Sequence, residues 1–216
     1  MKTISDFQVK RKKTLGHWEG LLEEWIFAIE KYCRMSGGEA PYWFTERANV
    51  GLLAAAAWRA GAVALEEFQH EKSEPDISET GNTAEPITKN GRCDLWVCHG
   101  TKSERIEAKF RWLNMNSERI AELAEKSLGE ALKDASKSMS DDGQPAVGVA
   151  FFPLFVKATV VAGEKVVEDY IEETIVILRK VDADLIAWCF PARLRSDLSE
   201  NGYCRPGVVM LVKRVS

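Results

Sequence analysis

The sequence predicts an α/β fold in which helices flank one central mixed sheet. Three observations lead to this expectation. Two segments before residue 62 place apolar residues at helical spacing, and three strand-like segments follow them, the last two with apolar and polar residues in alternation. A further amphipathic helix then leads into a strongly apolar strand. The chain has 216 residues, 45% hydrophobic and 29% charged, which suits one folded domain.

The first two helices are predicted from their apolar spacing and their end signals. Within residues 17–35 the apolar side chains recur on one helical face, and Ser36 with the two glycines after it should end that helix. A second helix should begin near Pro41 or Thr45 and stop at Gly61.

Three consecutive strands should follow as a meander. They are predicted at residues 62–70, 92–98 and 104–111, with a turn through His99 and Gly100 between the last two. The segment 72–90 contains two prolines and many polar residues, so it is expected to be a loop or a ragged hairpin.

The second half of the chain should complete the sheet. A helix at 117–139 is expected to cross over to a strand at 146–156, which would then lie parallel to the last strand of the meander. A helix at 165–180 and strands at 185–190 and 208–212 are predicted after it.

Composition limits the classes of function. The formal net charge of −4 gives no overall basic field, and the densest positive cluster is the run at 10–13. The five cysteines form no CxxC pair, and the three histidines are too scattered for a zinc site. No secretory signal is seen, and the longest apolar stretch, 50–58, is too short to span a bilayer. A reducing cytoplasm is the expected compartment, with no membrane partner.

Two of the predicted strands bear a group of charged residues. Asp94 lies on the second strand, and Glu107 and Lys109 lie on the third. Strand alternation sends Ile106 and Ala108 to the core and leaves Glu107 and Lys109 on the other face. If the strands pair, two carboxylates and one ammonium converge, which suits a hydrated divalent cation and an attacking water.

The order of these elements resembles that of the PD-(D/E)xK nuclease superfamily over about residues 41–156. Glu46 lies where many members bring a glutamate from the helix before the first strand. Cys93 stands where a proline would precede the aspartate, and the helix after Lys109 lacks the Gln-x-x-x-Tyr pattern of recombination nucleases. The residues that match the motif itself are Asp94, Glu107 and Lys109.

The resemblance implies a restriction-endonuclease-like core that hydrolyses phosphodiester bonds in DNA with Mg²⁺ or Mn²⁺. Asp94 and Glu107 would hold the ion with the carbonyl of Ala108, and Glu46 would add a ligand directly or through water. Lys109 would orient or help to deprotonate the attacking water and would stabilise the transition state. A homodimer stays open, because many related enzymes work as dimers.

The expected organisation is one domain over residues 1–216. Residues 1–40 would form an N-terminal helical extension, 41–156 the nuclease-like core, and 157–216 a C-terminal helix and strands that complete the sheet. Phosphate contacts are expected from Arg111, Arg119 and Lys126.

Alternatives exist for the main residues. Glu107 and Lys109 would also suit a solvent-facing cross-strand ion pair, with Asp94 merely on the surface of the sheet. A separate alternative is a non-catalytic binding or assembly partner on the same scaffold, which the acidic balance and modest basic patches would suit. Glu66 or Glu67 could replace Glu46 near a metal. Four tryptophans could stack on bases but are expected mostly in the core: Trp43, Trp58, Trp96 and Trp112.

Overall fold

The structure is a computed structural model that describes residues 4–74, 87–138, 144–161, 166–195 and 202–215. Within these ranges it does not describe the side chains of 70–74, 87–90 and 160–161. The chain has an α/β fold with a mixed, open sheet of eight strands flanked by helices.

After the first strand, the helices and strands come in runs along the chain. The strands are β1 (Ile4–Val9), β2 (Val63–Glu74), β3 (Ile87–His99), β4 (Lys102–Phe110), β5 (Leu113–Asn114), β6 (Ala146–Lys157), β7 (Leu185–Phe190) and β8 (Tyr203–Arg214). The helices are α1 (Lys12–Leu15), α2 (Glu19–Met35), α3 (Glu46–Arg59), α4 (Ile120–Lys137), α5 (Ala158–Val161) and α6 (Val167–Leu178). Short 3-10 turns lie at Gly16–Trp18 and Pro41–Trp43.

The strand order is β1-β7-β8-β6-β4-β3-β2, with β5 beside β6. β2, β3 and β4 form the predicted antiparallel meander, in which Leu95 pairs with Glu66 on one side and Ile106 on the other. Helix α4 connects β4 to β6 along the chain. These two strands pair in parallel, with Ile106 opposite Val147. The predicted meander and crossover are both confirmed.

Hydrophobic side chains fill both faces of the sheet. Helices α2 and α3 cover one face, where Trp25 and Leu53 pack with Ile106 and its neighbours. Helices α4 and α6 cover the other face, where Leu128 and Ile171 join the alternate residues of β6, β7 and β8. The central strands are therefore buried on two sides, which explains their nearly continuous apolar sequence.

The sequence missed two strands, β1 and the two-residue β5, and underestimated the length of others. β1 lies at the sheet edge and pairs antiparallel with β7, so the expected helical extension begins with a strand. Its residues show neither a strict alternation of polar and apolar side chains nor a strong apolar run, because an edge strand needs less burial. β2 and β3 also continue into the expected loop, as far as Glu74 and from Ile87 onward. The rest of that loop, 75–86, lies outside the described residues.

The polar face of β4 is covered rather than open to solvent. Helix α4 approaches β6 so closely that a Cβ on Gly148 would lie 2.8 Å from the backbone nitrogen of Leu132. Glu107 is consequently only 3% exposed. The alternative of a solvent-facing ion pair between Glu107 and Lys109 is therefore wrong.

Trp58 was expected in the core, but it lies on the surface. Its side chain is 58% exposed on α3, whereas Trp43, Trp96 and Trp112 are half-buried. No helix within the described ranges is both long enough and apolar enough to cross a membrane.

Candidate active site

The site is built where β3 and β4 separate. Their pairing runs from His99 opposite Lys102 to Leu95 opposite Ile106. At the next position, the Oδ2 atom of Asp94 accepts a hydrogen bond of 2.7 Å from the backbone N–H of Ala108. The aspartate side chain thus takes the place of a strand partner at the point of separation.

Backbone N–H and C=O groups of β4 also face the point where β3 and β4 separate. The N–H groups of Arg105 and Arg111 bond to the β6 side, each at 3.0 Å, so the odd-numbered residues face β6. The N–H and C=O groups of one strand residue point to the same side. The carbonyl of Ala108 therefore faces the β3 side, next to the amide that Asp94 contacts.

Glu46 reaches this edge from the first position of α3. Thr45 caps the helix, because its side chain accepts a hydrogen bond from the Ala48 N–H at 3.2 Å. The half-buried Glu46 carboxylate accepts a hydrogen bond from the Phe110 backbone. The Ala108 carbonyl lies between the amides of Ala108 and Phe110, and so between the two carboxylates.

The environment raises the pKa of Glu46. Burial is the largest cause, and the negative charges of Asp94 and Asp134 act in the same direction. The ammonium of Lys109 and the Phe110 hydrogen bond oppose the shift without cancelling it. Two carboxylates that line the same small, partly desolvated pocket favour the binding of a cation.

Lys109 extends toward α4, where its Nζ atom lies 2.8 Å from Oδ2 of Asp134. Burial alone would lower the pKa of Lys109, but the hydrogen bond and charge of Asp134, helped by Glu46 and Asp94, raise it. The pKa of Asp134 is lowered, since Lys109 and Lys137 outweigh its burial. Lys109 is therefore a protonated cation at neutral pH.

Asp134 was not among the residues expected at the site. Its side chain holds Lys109, yet it belongs to the helix after the motif and matches none of the motif positions. A signal was present, because Asp134 adjoins Ala131 and Ala135, which lie on the buried face of α4. A carboxylate next to that face must lie near the sheet.

Glu107 lies under the end of α4. Its Oε1 atom accepts a hydrogen bond of 2.5 Å from the Ser138 hydroxyl, and the Ser138 carbonyl accepts one of 3.2 Å from Arg105. The negative charge of Glu107 also acts on Cys93 in β3. Burial is the largest cause that raises the pKa of the Cys93 thiol to about 12, and the charge of Glu107 raises it in the same direction. The structure thus brings Glu46, Asp94 and Lys109 together and places Glu107 in a neighbouring buried network.

A small pocket lies between helix α3 and the strands β2 and β3. Its volume is about 60 Å³. Glu67 lies beside it with a φ of 48°, a conformation unusual for a residue other than glycine. The Glu67 carboxylate lies 3.3 Å from Arg47 and 3.2 Å from Arg92. The residues that line this acidic pocket are Glu46, Arg47, Val50, Glu66, Glu67 and Asp94.

The donor set fits a hard divalent cation. Within the described residues, no three His, Cys, Asp or Glu side chains are already arranged to hold a metal ion. Mg²⁺ does not require three, since it keeps several waters and uses one or two carboxylates. The residues that would hold Mg²⁺ or Mn²⁺ are Glu46, Asp94 and, through its carbonyl, Ala108.

The residues expected to contact phosphates lie near α4, and two of them have protein partners. Arg111 donates a hydrogen bond of 2.6 Å to the Ser127 hydroxyl, and Arg119 pairs with both carboxylate oxygens of Glu122. Lys126 is exposed on α4.

Comparisons of this chain with protein-family models, with curated proteins and with solved structures found no match. Function is therefore inferred from the geometry of the chain itself.

Proposed function

We propose that this protein is a metal-dependent nuclease that hydrolyses phosphodiester bonds in DNA, built on a restriction-endonuclease-like core. The observation that supports the proposal most is the meeting of Asp94, Glu46 and the backbone edge of Ala108 beside Lys109. The carboxylate and carbonyl oxygens would bind a metal ion, and the ammonium of Lys109 lies beside them. A phosphate group would suit the space between the metal ion and Lys109.

Each residue has a task in this chemistry. A bound Mg²⁺ or Mn²⁺ would polarise a phosphoryl oxygen and lower the pKa of a water ligand. Asp94 and Glu46 would offset the charge of the ion, and the Ala108 carbonyl would complete the protein ligands. Lys109 would attract the phosphate and stabilise the negative charge that develops in the transition state. Its raised pKa favours this cationic task over deprotonation of the water.

A second candidate is a non-catalytic binding or assembly protein on the same scaffold. One observation favours it: the Glu107 carboxylate is buried and bonded to the Ser138 hydroxyl. In the nuclease, Glu107 would have to leave this network before it could bind the metal, or Glu46 would replace it as a ligand.

Cleavage assays test the proposal. Linear, circular, single-stranded and branched DNA would be incubated with the protein and Mn²⁺ or Mg²⁺, and with EDTA as the blank. We expect Lys109→Ala to reduce cleavage by about 100-fold or more, the scale of a lost charge-stabilising group. Lys133→Ala is the matched control, because Lys133 is exposed on α4. Wild-type turnover by Lys109→Ala would refute the assigned role.

Metal titration separates the nuclease from the second candidate. A ligand that binds the native state raises the melting temperature, so Mg²⁺, Mn²⁺ or Ca²⁺ should stabilise the wild-type protein. Asp94→Asn should reduce this stabilisation. If none of the three ions changes the melting temperature, the non-catalytic protein becomes the better explanation.

A further inference from the structure

A row of aromatic side chains begins one residue after Lys109. The ring centroids of Phe110 and Trp112 are 6.3 Å apart, those of Trp112 and Phe155 are 6.3 Å apart, and those of Phe155 and Tyr203 are 5.6 Å apart. All three contacts are edge-to-face, with interplanar angles of 89°, 65° and 75°. We call these four residues the aromatic row.

The outer members of the aromatic row are not core residues. Trp112, Phe155 and Tyr203 are half-buried and belong to neither hydrophobic cluster of the sheet. Phe155 lies at the irregularity where the β6–β8 register shifts between Leu154 and Val156. Such bulges redirect a side chain and are frequent beside functional sites. These three rings therefore pack on one another and not within the two hydrophobic clusters of the sheet.

The row forms a cavity with a cation at its wall. The cavity measures about 280 Å³ and is lined by Trp112, Phe155, Tyr203 and Arg205. The guanidinium carbon of Arg205 lies 5.6 Å from the centroid of the Trp112 ring. Lys157, which is exposed, is the cross-strand partner of Tyr203. Flat apolar faces next to two positive charges match a base and its phosphates.

We propose that the aromatic row holds an unpaired nucleobase of a DNA strand bound at the candidate active site. This inference rests on the proposed nuclease function, and it specifies the substrate as single-stranded DNA or DNA with an unpaired end. A cavity of 280 Å³ lies just below the range of about 300–1,000 Å³ that holds drug-sized ligands, so it suits one base. A base inside a duplex would first have to unstack and flip out, which costs free energy that an unpaired base does not pay.

Binding without cleavage is the direct test. A fluorescent single-stranded oligonucleotide and the matching blunt duplex would be titrated with protein in EDTA, where metal-dependent cutting is blocked. We expect Trp112→Ala to weaken single-strand binding by about 5- to 100-fold, the range for one lost stacking partner. Duplex binding should change less than about twofold. Trp58→Ala is the matched control, since Trp58 is an exposed tryptophan on α3.

Two further variants separate stacking from folding and from catalysis. Trp112→Phe keeps an aromatic face and should restore most of the single-strand affinity that Trp112→Ala loses. Lys109→Ala should keep the Trp112-dependent discrimination between single strand and duplex, even where cleavage is lost. If Trp112→Phe binds as weakly as Trp112→Ala, the stacking proposal fails.

The outcomes distinguish this inference from the nuclease proposal. Trp112-dependent single-strand binding with no cleavage in Mg²⁺ or Mn²⁺ would support the aromatic row and refute the nuclease. Cleavage with equal single-strand affinity for wild type and Trp112→Ala would support the nuclease and refute the aromatic row. Self-association that Trp112→Ala abolishes, without DNA binding in EDTA, would assign this surface to a second copy and overturn the inference.

Discussion

Glu46 combines burial with a neighbouring carboxylate, and both raise its pKa. A raised folded-state pKa means that the folded protein binds this proton more tightly than the unfolded chain. Stability linked to Glu46 is therefore full below its unfolded pKa and declines as pH rises through the folded value. The ionised Glu46 carboxylate therefore lowers the free energy of unfolding at neutral pH. Such a loss of stability is common for groups that bind a ligand.

We therefore predict that Glu46→Gln stabilises the metal-free protein at pH 7. The melting temperature should rise by roughly 1–3 °C, corresponding to less than about 1 kcal/mol. The difference should disappear near pH 4, where the wild-type carboxyl is protonated. Thermal unfolding at both pH values in EDTA measures it, with exposed Glu125→Gln as the control. A variant less stable than wild type at pH 7 would contradict the interpretation.

Asp134 is expected to act by holding Lys109 protonated. Because Asp134 raises the pKa of Lys109, Asp134→Asn should lower that pKa. If cleavage requires the ammonium, the high-pH limit of the pH–rate profile should then move to lower pH. Asp182→Asn is a matched control, because it removes the carboxylate that pairs with Lys213 instead. An unchanged high-pH limit in Asp134→Asn would exclude the positioning role.

The sequence predicted the residues near the site better than their surroundings. Alternation along β4 placed Glu107 and Lys109 on one face, and the structure has both facing α4. Alternation cannot show what covers a face, so the burial of Glu107 and its Ser138 partner were not foreseen. Asp134 was missed for the same reason, since its role depends on how α4 lies across the sheet.

Among the helices and strands, α4 fixes the positions of Lys109 and Glu107 at the site. It contacts β4 through two side-chain pairs, Lys109 with Asp134 and Glu107 with Ser138. Its close approach to β6 depends on Gly148, where an added Cβ would meet backbone atoms of Ala131 and Leu132 at 2.8–3.1 Å. Backbone atoms cannot turn aside as a side chain can, so the whole helix would have to shift.

We predict that Gly148→Ala destabilises the protein by about 1–3 kcal/mol, the typical cost of overpacking. Cleavage should fall with it, because α4 would move Asp134 relative to Lys109. Gly129→Ala is the control on the same helix, since no atom lies within 4 Å of its added Cβ. An exposed helical glycine replaced by alanine should gain about 0.5–1 kcal/mol. Equal melting temperatures for the two variants would show that the close approach is unimportant.

The long periodic elements were predictable, whereas the short edge strand β1 was not. The spacing within 17–35 and 117–139 gave α2 and α4, because an amphipathic helix repeats its pattern over several turns. β1 has six residues and only one side in contact with another strand. So few positions leave no pattern that separates a strand from an irregular segment.

At the level of the whole molecule, β1 protects an otherwise exposed strand. All six residues of β7 are buried, and β1 pairs with them from Ile4 opposite Phe190 to Val9 opposite Leu185. Without β1, the unpaired N–H and C=O groups of an apolar strand would form the edge of the sheet. Such an edge pairs readily with other chains.

Removal of residues 1–9 should therefore cost stability and promote self-association. We expect a loss on the order of 3–5 kcal/mol, or about 10 °C in melting temperature, for a six-residue ladder and its packing. Light scattering and thermal unfolding measure the two effects. The control is Gln8→Lys, which changes an exposed side chain and keeps the backbone pairing of Gln8 with Ile186. A shortened protein that stays monomeric with an unchanged melting temperature would show that β7 tolerates an open edge.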